Sequence, residues 1–279
     1  MSQSLCGVKK STKSLAELGI TFVPGDAPMA DGKHIQPSDL PADFDSETAW
    51  PHCAKVIGDI RDQSNCGCCW AFGTAEAASD RMCISTEGKS IVPLSAEHMC
   101  FCSSHDGCNG GSPMEAWQWV AKHGLVTGGQ QKFSGSGEDP DHFAGGGFCA
   151  DFSLPHCHHH GPVGKDPFPA EGAPGCASQK SQKCPTTCDA GAKAPHNTFA
   201  SDMYTYTGGS ESFGYNETRL QTEIMTSGPV TVAFTVYSDF ENYAGGIYHH
   251  VSGKMAGGHA VKMVGWGVDG GVSHRRYSH

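Results

Sequence analysis

Three cysteines crowd one short segment, Gln63-Ser64-Asn65-Cys66-Gly67-Cys68-Cys69-Trp70-Ala71-Phe72. The residues from Cys69 to Met82 are Ala-rich and free of Pro, which predicts a helix opening at Cys69. A thiol at that position faces the positive end of the helix dipole and the N–H groups of the first turn, so the thiolate is favoured. The thiolate is the attacking form of cysteine. Spacing alone leaves a second reading open, in which Cys66, Cys68 and Cys69 are all disulfide partners. A further group, His156-Cys157-His158-His159-His160, is rich in residue types that bind metals. Consecutive His rarely point at one ion, so the expectation is no metal and no cofactor. A third candidate, His259, stands in Gly257-Gly258-His259-Ala260-Val261.

These residues need elements to hold them. Ser112-Pro113-Met114-Glu115 reads as a capping box with Pro at the first helical position, opening a helix to about His123 with Gly124 as its stop. Asn216 caps a further helix carrying Leu220 and Ile224 and ending at Gly228-Pro229; Asn216-Glu217-Thr218 is also a glycosylation sequon. Val230, Val232, Phe234 and Val236 alternate as a half-buried strand, and Ala260 to Trp266 reads as another. Between the helices lies a long stretch, 128–210, whose Pro155–Pro195 part holds four Cys; a loop of that length is functional or disulfide-tied. Residues 1–39 are polar and read as a tail or linker, with a composition shift at Leu40, after which 40–279 reads as one unit. The class is α+β.

The chain has 279 residues, 19 Lys+Arg against 29 Asp+Glu, and a net charge of −10, which argues against a nucleic-acid or anionic-membrane surface. Mean hydropathy is −0.36, and no apolar run approaches the ~20 residues of a membrane span. Fourteen Cys point to an oxidising compartment and several disulfides. Met1 to Leu18 lacks the apolar core of a signal peptide, being interrupted by Cys6, Lys9, Lys10 and Lys13, so the expectation is that Met1 is not the true start.

The segment from Gln63 to Phe72 resembles the active-site segment of papain-family cysteine proteases, Cys-Gly-(Ser/Ala)-Cys-Trp, with Cys68 at the variable position. The resemblance implies a two-domain fold, helical on the left and β-barrel-like on the right. It makes Cys69 the nucleophile, His259 the general base and Gln63, with the Cys69 N–H, the oxyanion donor. Cys69 and His259 stand further apart than the ~130–150 residues quoted for papain relatives, the excess lying in the long loop. Cys157-His158-His159-His160 resembles the occluding loop of the cathepsin B subfamily, placed at about 149–188. There His159 and His160 would bind the C-terminal carboxylate of a peptide, with Asp62 anchoring one of them, giving C-terminal dipeptidase besides endopeptidase activity. Asn109-Gly110-Gly111-Ser112-Pro113 resembles the substrate-backbone segment, where Gly110 and Gly111 would let an extended peptide pair; alone they would read as a turn. The disulfides implied are Cys53–Cys83, Cys66–Cys108, Cys149–Cys188 and Cys157–Cys176, with Cys184 joined to Cys100 or Cys102.

Ser4-Leu5-Cys6-Gly7-Val8 resembles the end of a cathepsin B propeptide, which runs backwards through the cleft. The implied partners are peptide and protein substrates and the chain's own propeptide, in a monomer of a lysosome-like compartment or secreted. The match is expected to end near Gly271-Val272, before the family's Asn-Ser-Trp motif, whose Asn orients the catalytic His. The favoured reading is a sequence incomplete at both ends, with a truncated right domain. The alternatives are an impaired peptide-binding pseudoprotease and, least favoured, a Cys/His-rich metal-binding module. Cys68 has no implied partner and could form a vicinal or mixed disulfide beside Cys69.

Overall fold

The computed structural model describes residues 7–24, 35–131, 143, 146–155, 177–207, 210–243 and 245–278. His159, His160, Cys157, Cys176 and residues 4–6 lie outside the described residues. In chain order the elements are β1 (Thr21–Phe22), β2 (Phe44–Asp45), α1 (Ser46–Ala49), α2 (Ala54–Ile57), α3 (Cys69–Ser85), α4 (Ala96–Cys102), α5 (Pro113–His123), β3 (Glu211–Ser212), α6 (Glu217–Ser227), β4 (Val230–Tyr237), β5 (Met255–Asp269) and β6 (Val272–Ser278).

Two elements organise the molecule. Helix α3 is buried on nearly every side, from Cys69 through Asp80. Its small residues permit this: Ala71, Ala75 and Ala78 let Phe72, Met99, Leu94 and Phe152 close around it in one core. Strand β5 is the spine of the other half. It pairs antiparallel with β4 (Phe234 opposite His259), with β2 (Phe44 opposite Trp266) and with β6 (Trp266 opposite Arg275). Its residues from His259 to Gly267 are buried without alternation, because both faces of the strand are covered. A smaller core of Ile224, Val230, Met263 and Trp266 fills the space between α6 and the sheet.

The predicted helices at Cys69, Pro113 and Asn216 form where expected. Asn216 Oδ1 accepts from the Arg219 N–H at 2.8 Å. Other expectations change. The capping box at Ser112 does not close: no side-chain cap bond forms there, and Glu115 instead accepts from the Ser11 hydroxyl at 2.5 Å. Residues 7–24 are not a loose tail. Leu18, Ile20 and Val23 are buried, and β1 pairs in parallel with β3. Residues 272–278, beyond the expected end of the family pattern, form β6 against β5. The sheet is open: among the described residues no strand closes it into a barrel. Helix α4 was not foreseen.

Candidate active site

Cys69 opens α3, and His259 lies on β5. The two elements meet at the site, where the Ala260 N–H points at Cys69 Sγ, 3.5 Å away, placing the residue after His259 against the thiol. Both side chains are buried, Cys69 fully and His259 at 8% exposure. The Phe234 ring meets the His259 ring edge-on at 5.8 Å.

Two features fix how α3 and β5 approach. Gly73 lies one turn after Cys69, and a Cβ there would come within 3.1 Å of the Val261 backbone. A side chain there would push helix and strand apart by a few tenths of an ångström, so glycine permits the close approach. Two turns further along α3, Asp80 is reached by Lys262 Nζ at 3.1 Å, with both side chains wholly buried, and Lys262 Nζ also donates to the Val56 carbonyl at 3.3 Å. Burial pushes the Asp80 carboxyl up to about 7, against the opposing pull of Lys262.

The chain before Cys69 is held rigidly. Buried Arg61 bonds Asp59 at 2.6 Å and the Leu94 carbonyl at 2.8 Å. Asp62 Oδ1 accepts from the Ser64 N–H at 2.5 Å, bending the chain through a left-handed Ser64 (φ 60). Gln130 Oε1 accepts from the Asp62 N–H at 2.5 Å. Gln63 is buried and uses Nε2 to donate to the Cys66 carbonyl at 2.7 Å. That bond engages one of the two N–H donors of its amide.

Gly110 (φ 88) and Gly111 border the opposite side. A Cβ on Gly111 would sit 2.5 Å from the Trp70 ring, whose Nε1 donates to the Gly107 carbonyl at 3.1 Å. Trp70, next to Cys69, thus sets the glycine edge. The chain's own residues Gly7 to Lys9 occupy that edge. Gly111 N–H donates to the Gly7 carbonyl, and Lys9 N–H donates to the Gly111 carbonyl, each at 2.8 Å. On the other side, the Val8 N–H donates to the Gly258 carbonyl at 3.2 Å. Gly7 lies so close to Gly67 that a Cβ on it would overlap the Gly67 carbonyl. Residues 7–9 therefore span from the Gly111 edge to the residue before His259. Gly67 and Gly258, which flank Cys68 and His259 in the sequence, carry no local signal for these contacts with Gly7 and Val8. A cavity of about 920 Å³, lined by Trp117, Tyr206, Leu220, Val232, Phe234 and Tyr277, lies apart from Cys69.

The structure joins Cys53 to Cys83, Cys66 to Cys108 and Cys149 to Cys188, pairs that the resemblance also implies, and it gives Cys102 to Cys184. The Cys66–Cys108 bond ties the segment before Cys69 to the segment before Gly110. Cys100 is left as a buried thiol, as is Cys68.

A helix opening on Cys69, crossed by a strand bearing His259, with a glycine edge beside them, defines a class. The profile described as "Papain family cysteine protease" matches residues 40–277, and the chain belongs to that family. Within it, the chain is 42% identical over 235 residues to a cathepsin B-like cysteine proteinase of Schistosoma japonicum, covering 83% of this chain and 61% of the relative. It is 39% identical over 241 residues to cathepsin B-like cysteine proteinase 6 of Caenorhabditis elegans, covering 85% and 57%. The chain thus spans about three fifths of the length of the curated relatives it matches. Among solved structures it is similar to procathepsin B S9 of Trypanosoma congolense, with TM-score 0.69 and 26% identity, covering 99% of this chain and 75% of that one.

Proposed function

We propose that the protein is a cysteine peptidase that hydrolyses peptide bonds through a Cys69 thiolate and a His259 imidazolium. The observation that carries the reading is the meeting of α3 and β5, where the Ala260 N–H points at Cys69 Sγ at 3.5 Å, directly after His259. In this reading Cys69 Sγ attacks the scissile carbonyl, and the Cys69 N–H and the Gln63 amide stabilise the oxyanion. His259 protonates the leaving amine, then takes a proton from the water that releases the acyl group. The substrate backbone pairs with Gly111, as the chain's own residues 7–9 do. That occupation makes residues 7–9 the end of a propeptide that keeps the site closed. The procathepsin neighbour supports a propeptide as partner.

C-terminal dipeptidase activity is the finer part of the proposal. It rests on the cathepsin B-like relatives and on His159 and His160, with Asp62 as the anchoring carboxylate. No helix among the described residues is long and apolar enough to cross a membrane. Four disulfides suit a secreted or lysosome-like compartment. The test is turnover of a fluorogenic peptide amide, together with labelling by an epoxysuccinyl probe, in Gly7→Val, whose side chain displaces residues 7–9 from the site. Turnover abolished by Cys69→Ser supports the proposal. Labelling of Cys69 supports an organised site; absence of both labelling and turnover in correctly folded protein overturns the catalytic reading and leaves a peptide-binding one. In His160→Ala, loss of dipeptide release with endopeptidase cleavage retained supports the loop assignment; unchanged dipeptide release defeats it.

A further inference from the structure

Two cysteines stand outside every disulfide among the described residues and outside the proposed chemistry. Cys68 is the residue immediately before α3, and Cys100 lies on α4; both are fully buried. Their sulfurs, together with that of Cys66, lie within 4.8 Å of one another. Cys66 is already bonded to Cys108, so the cluster offers two thiols and not the three or four that a structural metal site needs. Gly107 closes over the pair: a Cβ there would sit 2.6 Å from Cys100 Sγ. The neighbour available to Cys68 is therefore across the helix interface on α4, which replaces the idea of a bond to the adjacent Cys69.

We propose that Cys68 and Cys100 form a disulfide that locks the start of α3 to α4 beside the nucleophile position. The bond forms by exchange with a disulfide oxidant of low molecular weight, such as oxidised glutathione. The thiolate of one cysteine attacks the oxidant and releases one reduced thiol. The other cysteine then attacks the mixed disulfide and releases the second. Cys68 and Cys100 together lose two electrons and two protons, and the oxidant becomes two thiols. Burial pushes the Cys68 thiol up, and the nearby Cys100 sulfur pushes it the same way. Attack from the folded state is thereby slowed, so the bond is made during oxidative folding, before the core closes. The cross-link closes a loop of about 30 residues in the unfolded chain.

The experiment is differential alkylation of the full chain refolded in a glutathione redox couple. Unreduced protein is unfolded in denaturant and labelled with iodoacetamide; it is then reduced and labelled with N-ethylmaleimide, and each cysteine is read by mass spectrometry. The proposal expects Cys68 and Cys100 to escape the first label and take the second, while Cys69 takes the first. Cys100→Ser should expose Cys68 to the first label, and Cys68→Ser should expose Cys100. Iodoacetamide on Cys68 or Cys100 in the unsubstituted chain overturns it, as does continued protection of Cys100 in Cys68→Ser. The readout needs no catalysis, so it stands or falls separately from the proposed peptidase activity.

Discussion

Glu97 gives a stability prediction whose size can be worked through. It lies on α4, is 6% exposed, and accepts from the Ser153 N–H at 2.8 Å and from the Ser153 hydroxyl. Burial pushes its carboxyl from 4.5 up to about 7; the Ser153 bonds oppose this, and Asp189 and Asp151 reinforce it. Asp151, buried nearby, is raised to about 6. Between about pH 4.5 and pH 7 the unfolded chain has lost the Glu97 proton while the folded chain keeps it. Stability then falls as pH rises, by about 1.4 kcal/mol per pH unit for this group. Across the window the loss is about 3 kcal/mol, complete above the folded value and absent below the unfolded one. Gln at 97 keeps an acceptor for Ser153 but cannot ionise. Urea unfolding at pH 4.5 and pH 7.5 should therefore show Glu97→Gln gaining about 3 kcal/mol on the unsubstituted chain at the higher pH. With a slope of ~1–3 kcal/mol/M, that is a midpoint shift of at least ~1 M. Parallel pH profiles for the two proteins would refute the reasoning.

Two further perturbations probe how the site is assembled. Lys262→Met leaves the Asp80 carboxyl buried without its partner and should cost ~3–5 kcal/mol at pH 8 by urea unfolding, with a smaller loss at pH 5, where Asp80 holds its proton; an equal loss at both would contradict the pairing. Gly7→Val forces a side chain into the Gly67 carbonyl and should lift residues 7–9 off the Gly111 edge, speeding epoxysuccinyl labelling of Cys69 several-fold at unchanged thermal midpoint; unchanged labelling would mean that the segment does not guard the site.

Much of this arrangement was legible in the sequence because its signals are local. Pro113 and Gly124 bracket α5, Asn216 caps α6, and the Ala-rich, Pro-free run from Cys69 to Met82 marks α3 as a helix. The alternation of Val230, Val232, Phe234 and Val236 marked β4. What the sequence hid depends on contacts distant along the chain. Glu115 abandons its capping role because Ser11, over a hundred residues earlier, offers a hydroxyl. Residues 7–24 looked polar and aperiodic, yet Leu18, Ile20 and Val23 find apolar neighbours only once the chain has folded. Helix α4 is a short run, Ala96–Cys102, whose burial leaves no amphipathic stripe to read. Cys100 could not be chosen over Cys102 as the partner of Cys184, because two residues of spacing place both on the same short helix. The meeting of Cys68 with Cys100 has no sequence signature at all.

The proposed chemistry stands on Cys69 and His259 reacting as one pair where α3 meets β5. The measurement is the iodoacetamide alkylation rate of Cys69 at pH 5 in Gly7→Val, where residues 7–9 no longer cover the site, and in the same variant with His259→Ala added, read at that residue by mass spectrometry. An ordinary thiol near 8.5 is almost wholly protonated there. Alkylation should be at least ~10-fold faster with His259 present than with His259→Ala, because the imidazolium holds the thiolate. Equal rates in the two proteins would contradict it.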